Sequence, residues 1–312
     1  MNTIGHNILL DYFTKLITND RVHHAYCFVG SEHVGKRHVV DQLAKKILGI
    51  KILETSQDVI YVKREINPKT GKTKKDISIE QIKQLRHFLS MTSASGGYKI
   101  AIIEQAERMN TAASNALLKT LEEPTKKTII FLTVQNDDML LPTILSRVHL
   151  LRLSSVDTQL LQTSLQDTYG NDPLFDQIIG WSQGLPGLAI KLLTDEQYKN
   201  QYQQEIKRFD DFINKPFSDK LKMVTQIFGD KSDHIIQRQY IIFVLNIWQA
   251  IIQDIWRVRL GEKPTFLLTA DVTSFDNKLV VALLVAIDTT KNQLQKNIHP
   301  KLSVEQILLL IP

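Results

Sequence analysis

Residues 25–37 read Ala25-Tyr26-Cys27-Phe28-Val29-Gly30-Ser31-Glu32-His33-Val34-Gly35-Lys36-Arg37. An apolar, strand-like run meets a glycine-bounded loop, and Arg37 to Leu48 continues with helical periodicity. Gly30, Gly35 and Lys36 have the G-x4-G-K spacing of a phosphate loop, and a strand before it with a helix after it is the setting that spacing requires. Glycines let backbone N–H groups turn toward phosphate oxygens, and a helix N-terminus adds its dipole. Lys36 stands where it would meet the terminal phosphates.

The next residue departs from the pattern. A working phosphate loop places Ser or Thr there to ligate Mg²⁺, whereas this chain has Arg37. A guanidinium has no acceptor and cannot ligate a cation. Two outcomes stay open: Arg37 neutralises bound phosphate, or it pairs with a carboxylate and leaves the pocket empty. The apolar run Ile100 to Ile103 ends in Glu104-Gln105-Ala106-Glu107. A nucleotide hydrolase needs a metal-holding Asp followed by a water-orienting Glu at such a strand end. Glu104 keeps a carboxylate on a longer arm, and Gln105 cannot act as a base. A pair between Arg37 and Glu104 is therefore expected when no nucleotide is bound.

Outward from this core, Val59 to Val62, Lys99 to Ile103, Thr128 to Thr133 and Val148 to Leu153 are further strand-like runs, and with the first they are rich in Ile, Val and Phe. Helical patterns separate them: Ile79 to Met91, opened by a Ser78/Gln81 capping-box pair, and Ala112 to Glu123, stopped by Pro124. Such alternation implies a parallel sheet covered on both faces. After residue 154 the strand signal ends. Ser155 to Tyr169, Leu174 to Ser182 and Gly187 to Leu193 read as three short helices, and Tyr198 to Ile213, Ser218 to Phe228, Ser232 to Val258 and Asn277 to Asn297 as longer ones. The expected organisation is an α/β domain over 1–154, a small helical domain over 155–197 and a helical domain over 198–312.

The 312 residues are 43% apolar and 23% charged, a globular composition. A single cysteine, Cys27, excludes a disulfide framework and every multi-cysteine metal site. It fits a reducing cytoplasm, and so does the absence of a secretory pattern in Met1 to Leu10. The longest apolar window, Ile241 to Val258, is interrupted by Asn246, Gln249, Gln253 and Asp254, so a soluble protein is expected. No His or Cys partner stands at metal-ligand spacing from His33. The formal net charge is +5, and residues 61–90, with eight Lys/Arg against three Asp/Glu, carry all of it. The excess lies in Lys63 to Lys75, read as an exposed loop or hairpin turning at Pro68 and Gly71. Such a segment is either a solvated surface or a nucleic-acid contact.

Several longer motifs follow one another in order: His23-His24-Ala25-Tyr26, Tyr98 to Asn110, Ala116-Leu117-Leu118-Lys119-Thr120-Leu121-Glu122-Glu123-Pro124, Leu141-Pro142-Thr143-Ile144-Leu145-Ser146-Arg147, and Gly184-Leu185-Pro186-Gly187-Leu188-Ala189. Together they resemble the bacterial clamp-loader ATPase family, and within it the delta-prime branch of DNA polymerase III more than the ATP-hydrolysing gamma/tau branch. The departures at Arg37, Glu104-Gln105 and Leu188, where active members carry a sensor arginine, point to the former. The zinc cysteines of many relatives are missing, and Val148 replaces the Cys of the family's Ser-Arg-Cys signature.

The resemblance implies a AAA+ phosphate-loop parallel-sheet domain, a three-helix lid and a C-terminal helical collar. Gly30, Gly35, Lys36, Arg37, Glu104 and Gln105 would form a degenerate nucleotide site with no metal. Ser146 and Arg147 would form a finger motif whose arginine reaches a neighbour's γ-phosphate. No intrinsic ATPase activity is expected of a subunit within a DNA-directed DNA polymerase holoenzyme. The implied partners are gamma/tau and delta subunits, with the sliding clamp and primer–template DNA met through the assembly. No cofactor is required and no zinc is expected, while ATP binding stays open. The rival is an ATP-hydrolysing gamma/tau-like motor with Glu107 standing in as base. Gln135 and Asn136 occupy the phosphate-sensor region, His23 and His24 are either adenine-pocket or turn residues, and Trp181, Trp248 and Trp256 are expected as core or interface anchors.

Overall fold

The computed structural model describes residues 3–19, 21–68, 70–213, 215–228, 234–295 and 300–312. By internal contacts the chain divides into two compact units: Met1–Leu165 with Gly184–Leu188, and Gln166–Gln183 with Ala189–Pro312.

In the first unit the elements run α1 (Asn7–Thr18), β1 (Ala25–Val29), α2 (Lys36–Leu48), β2 (Val59–Val62), α3 (Ile79–Ser90), β3 (Lys99–Ile103), α4 (Thr111–Glu122), β4 (Thr128–Val134), α5 (Pro142–Leu145), β5 (His149–Arg152) and the start of α6 (Thr158–Tyr169). The five strands form one parallel sheet in the order β2-β3-β4-β1-β5. Every residue of β1, β3 and β4 is buried, which is why these strands read as continuous apolar runs rather than alternating ones.

The period of two still sorts side chains between two cores. Ala25, Cys27 and Val29 face Leu85, Leu117 and Leu121, while Tyr26 and Phe28 face Phe13, Val39, Val40 and Leu43. Cys27 is thus a core residue, its thiol pushed up to about 12 by burial and, secondarily, by Glu107 and Asp137. The capping box opens α3: Ser78 N–H donates to Gln81 Oε1 at 3.0 Å, and the Gln81 backbone returns the bond to the Ser78 side chain. Helix α1 was not expected. Its N-cap, His6, lies in the left-handed region at φ 58° without a side-chain cap, and its first turn holds no acid, so the usual start signals are absent.

The second unit is helical: α7 (Phe175–Trp181), the later part of α8 (Pro186–Thr194), α9 (Glu196–Phe212), α10 (Phe217–Phe228), α11 (His234–Arg259), α12 (Asn277–Gln295) and α13 (Pro300–Leu308). The expected helix start at Ser232 and end at Asn297 fall outside the described residues. Trp248 is fully buried against Phe209 and Phe212, with ring centroids 5.8 and 5.3 Å apart, and Trp181 is also core. Trp256 keeps 39% of its surface exposed, so of its two expected roles the core one is excluded. By length and composition alone Arg238–Arg259 could cross a membrane, but more than half of that stretch is buried within the structure, as in the central helix of a bundle.

Phe131, fully buried on β4, meets Phe13, Tyr26 and Phe28 with ring centroids 5.7–6.5 Å away. Phe131→Ala should destabilise the sheet-bearing unit by about 3–5 kcal/mol, the range for deleting a buried aromatic. Urea denaturation followed by far-ultraviolet circular dichroism checks this, and a shift no larger than that of a surface substitution contradicts the packing.

Candidate nucleotide site

The loop from Gly30 to Gly35 leaves the carboxyl end of β1, and ligand crevices of open α/β sheets lie at such strand ends. His33 and Gly35 take positive φ of 65° and 100°. These turns bring the chain into α2 with its first N–H groups free of intrahelical partners. A Cβ on Gly30 would stand 2.6 Å from the Leu153 carbonyl oxygen, so close backbone packing demands glycine there. Gly187 N–H donates to the His33 carbonyl at 2.8 Å and pins the loop's crest. A cavity of about 430 Å³ opens over the loop, lined among others by Gly35, Lys36, Arg37, Glu104, Gln105 and Gly187. Of the predicted nucleotide-site residues, Gly35, Lys36, Arg37, Glu104 and Gln105 line the cavity and Gly30 does not.

Lys36 Nζ donates to the carbonyls of Gly30 at 2.5 Å and Ser31 at 2.8 Å. Burial lowers its pKa, while Glu107 and Glu32 oppose the shift. Burial likewise raises that of Glu107, against the pull of its own backbone N–H, Arg108 and Lys36. Of the two residues in the expected sensor region, Gln135 lines the cavity, whereas Asn136 accepts from Asp138 N–H and caps a short turn. His23 stacks on His24 and meets His149 edge-on at the amino end of β1 and β5, the opposite end of the sheet from the cavity.

The decisive arrangement surrounds Arg37. Its Nε donates to both oxygens of Asp41 at 2.8 Å, its Nη1 is ion-paired with Glu104 Oε1, and its guanidinium lies over the Tyr61 ring at 4.2 Å. The expected pair with Glu104 is present, and the residue standing at the metal-ligand position is a cation already held by two acids. Asp41 and Tyr61 escaped the sequence reading. Asp41 had a signal, since Arg and Asp four apart share a helix face, but Tyr61 comes from β2 and had none. Gln105, at φ 52°, accepts from Arg64 Nε at 3.2 Å, and its backbone N–H donates to Thr133 Oγ1. The phosphate cradle fits a nucleotide's phosphates; the surroundings of Arg37 do not fit Mg²⁺. Among the described residues no cluster of His, Cys, Asp and Glu could hold a metal.

Arg147 lies elsewhere. Its Nη1 donates to the Thr143 carbonyl at 2.8 Å and to Ser146 Oγ at 3.0 Å, and its Nη2 meets Glu122 Oε1 at 2.9 Å. Ser146 in turn donates to the Thr143 carbonyl. About a third of the Arg147 side chain is exposed, and it does not line the cavity. So partly exposed an ion pair contributes on the order of 0–1 kcal/mol.

The sequence profile of a family described as "DNA polymerase III, delta subunit" matches residues 5–157. DNA polymerase III subunit delta-prime of Pseudomonas aeruginosa is 33% identical over 138 residues, which cover 40% of this chain and 41% of that protein. The delta-prime subunit of Bacillus subtilis is 24% identical over 321 residues, covering 95% of this chain and 92% of the relative. Among solved structures, a gamma subunit-related protein of DNA polymerase III from Thermotoga maritima superposes with a TM-score of 0.52 at 16% identity, covering 96% of this chain and 97% of its own. That last likeness concerns the fold.

The Arg37 arrangement predicts how nucleotide binding depends on metal. Titration with a fluorescent ATP analogue should give affinities within about threefold of each other with Mg²⁺ and with chelator, a difference under 1 kcal/mol. A drop of more than about tenfold on chelation, or 1.4 kcal/mol, contradicts it. Arg37→Thr should introduce the metal dependence.

Proposed function

Because the chain belongs to the delta-prime family of bacterial DNA polymerase III subunits, we propose that it is the catalytically silent member of a clamp loader. In this reading it assembles with gamma/tau and delta subunits in the cytoplasm and contributes to ATP-driven placement of the sliding clamp on primed DNA. Residues 1–154 act as the AAA+ domain, 155–197 as the lid and 198–312 as the collar that joins the ring.

One observation carries the silence: Arg37 occupies the metal-ligand position and is satisfied by Asp41 and Glu104. Ligating Mg²⁺ would require expelling a permanently charged guanidinium from two carboxylates, and the neighbouring Gln105 offers no base. A subunit that does not cycle supplies a fixed surface against which its neighbours move. Arg147 supports the second half of the reading. It is about one-third exposed, outside the chain's own cavity, and its acidic partner is the half-exposed Glu122. A planar, always-charged fork suits the charge that gathers on phosphoryl oxygens in the transition state.

Purified alone, the chain should release no phosphate from ATP. Turnover that Lys36→Ala abolishes would establish the motor reading instead. In a reconstituted loader, Arg147→Ala should leave assembly intact by gel filtration and slow hydrolysis at the adjoining site by about 10³-fold or more, the scale of an arginine supplied in trans. Normal single-turnover hydrolysis at every site of that mutant removes the finger role.

A further inference from the structure

Residues 63–75 hold six Lys and Arg against Glu65, a net +5 that equals the charge of the whole chain. The nucleotide site uses none of these cations except Arg64, at the root. The segment is built as a hairpin. Ile66 bridges Thr73 in antiparallel fashion, Asn67 N–H donates to the Lys72 carbonyl at 2.8 Å, and Lys74 N–H donates to the Glu65 carbonyl at 2.7 Å. It is also anchored. Gln81 of the α3 capping box donates through Nε2 to the Lys63 carbonyl at 2.8 Å, Arg64 donates to Gln105, and Ile77 N–H donates to the Arg108 carbonyl at 2.7 Å. The hairpin leaves the carboxyl end of edge strand β2, with Lys63, Lys72, Lys74 and Lys75 all exposed.

We propose that this hairpin is a nucleic-acid site of the chain itself, binding the phosphate backbone of DNA through Lys72, Lys74 and Lys75. Lys72 and Lys74 flank the bridging Thr73, so strand alternation places them on one face. Two residues of antiparallel strand advance about 6.8 Å, so two flexible lysine side chains on one face can reach separate phosphates of a nucleic-acid backbone. The only acid within the segment is Glu65, paired with Lys74 at 2.7 Å with both side chains nearly half exposed. Such a pair is weak, so a phosphate can displace the carboxylate from Lys74. A phosphate array repays this concentration of charge by counterion release, with no need for apolar contacts. Ile66 is the one large apolar side chain exposed on the hairpin.

The experiment uses the purified full-length chain and a fluorescein-labelled primer–template duplex, with anisotropy read between about 50 and 200 mM salt, where phosphate contacts are most visible. The wild-type association constant should fall with salt along a log–log slope of about −2 to −3, corresponding to two or three neutralised phosphates. The combined variant Lys72→Ala/Lys74→Ala/Lys75→Ala should lose at least about tenfold in affinity and most of that slope. The corresponding Lys→Arg triple should retain both.

Glu65→Gln should bind about threefold tighter, by removing the internal competitor for Lys74, a gain that misfolding cannot produce. Unchanged affinity and slope in the alanine variant overturn the proposal. So does a wild-type chain that binds polyglutamate but not the duplex. The measurement needs no partner subunit and no ATP, so it stands or falls separately from the finger role of Arg147.

Discussion

One guanidinium sets the character of this molecule. Arg37 begins its helix at the point where a phosphate-loop protein needs a hydroxyl, and it is gripped by Asp41 on the same helix and by Glu104 from the end of a neighbouring strand. The acid that would hold a metal is thereby converted into a partner for a fixed internal cation. Removing either carboxylate alone would leave part of a half-buried guanidinium without its partner, so these groups are coupled and their effects will not add.

The sheet makes that coupling possible. Strand order β2-β3-β4-β1-β5 puts β1 between β4 and β5, with β3 one strand further along. The carboxyl ends of β1 and β3 therefore open on the same rim, and the loops that follow them bring Arg37 and Glu104 within reach across β4. The rim extends to edge strand β2, where the basic hairpin begins and where Arg64 touches Gln105. Phosphate cradle, acidic strand end and cationic hairpin are thus neighbours because parallel strands present all their carboxyl ends together. Arg147 belongs to a different corner, after β4 and α5, against the end of α4.

The comparison of sequence with structure turns on the range of each interaction. Glycine spacing, apolar runs and the Ser78/Gln81 box are encoded within a few residues, and the strands Ala25–Val29, Val59–Val62 and Lys99–Ile103 could be read to the residue. Helix α1 could not, because His6 caps it with backbone conformation rather than a side chain. Helical position alone did not separate the buried Trp248 from the exposed Trp256, because which face of α11 meets the other helices depends on packing far along the chain. Tyr61 under Arg37, and Glu122 beside Arg147, are meetings of elements distant in sequence.

By itself the sequence determined that a phosphate loop lies between a strand and a helix, that its metal ligand is replaced by a cation, and that one short segment holds the entire net charge. Those are properties of residue type and local spacing. Only the tertiary structure decided that the replacing cation is satisfied by two carboxylates and an aromatic face, that the charged segment is a hairpin pinned at its root, and that Arg147 stands outside the cavity. Each of these depends on where the sheet brings remote segments together, and no local pattern carries that information.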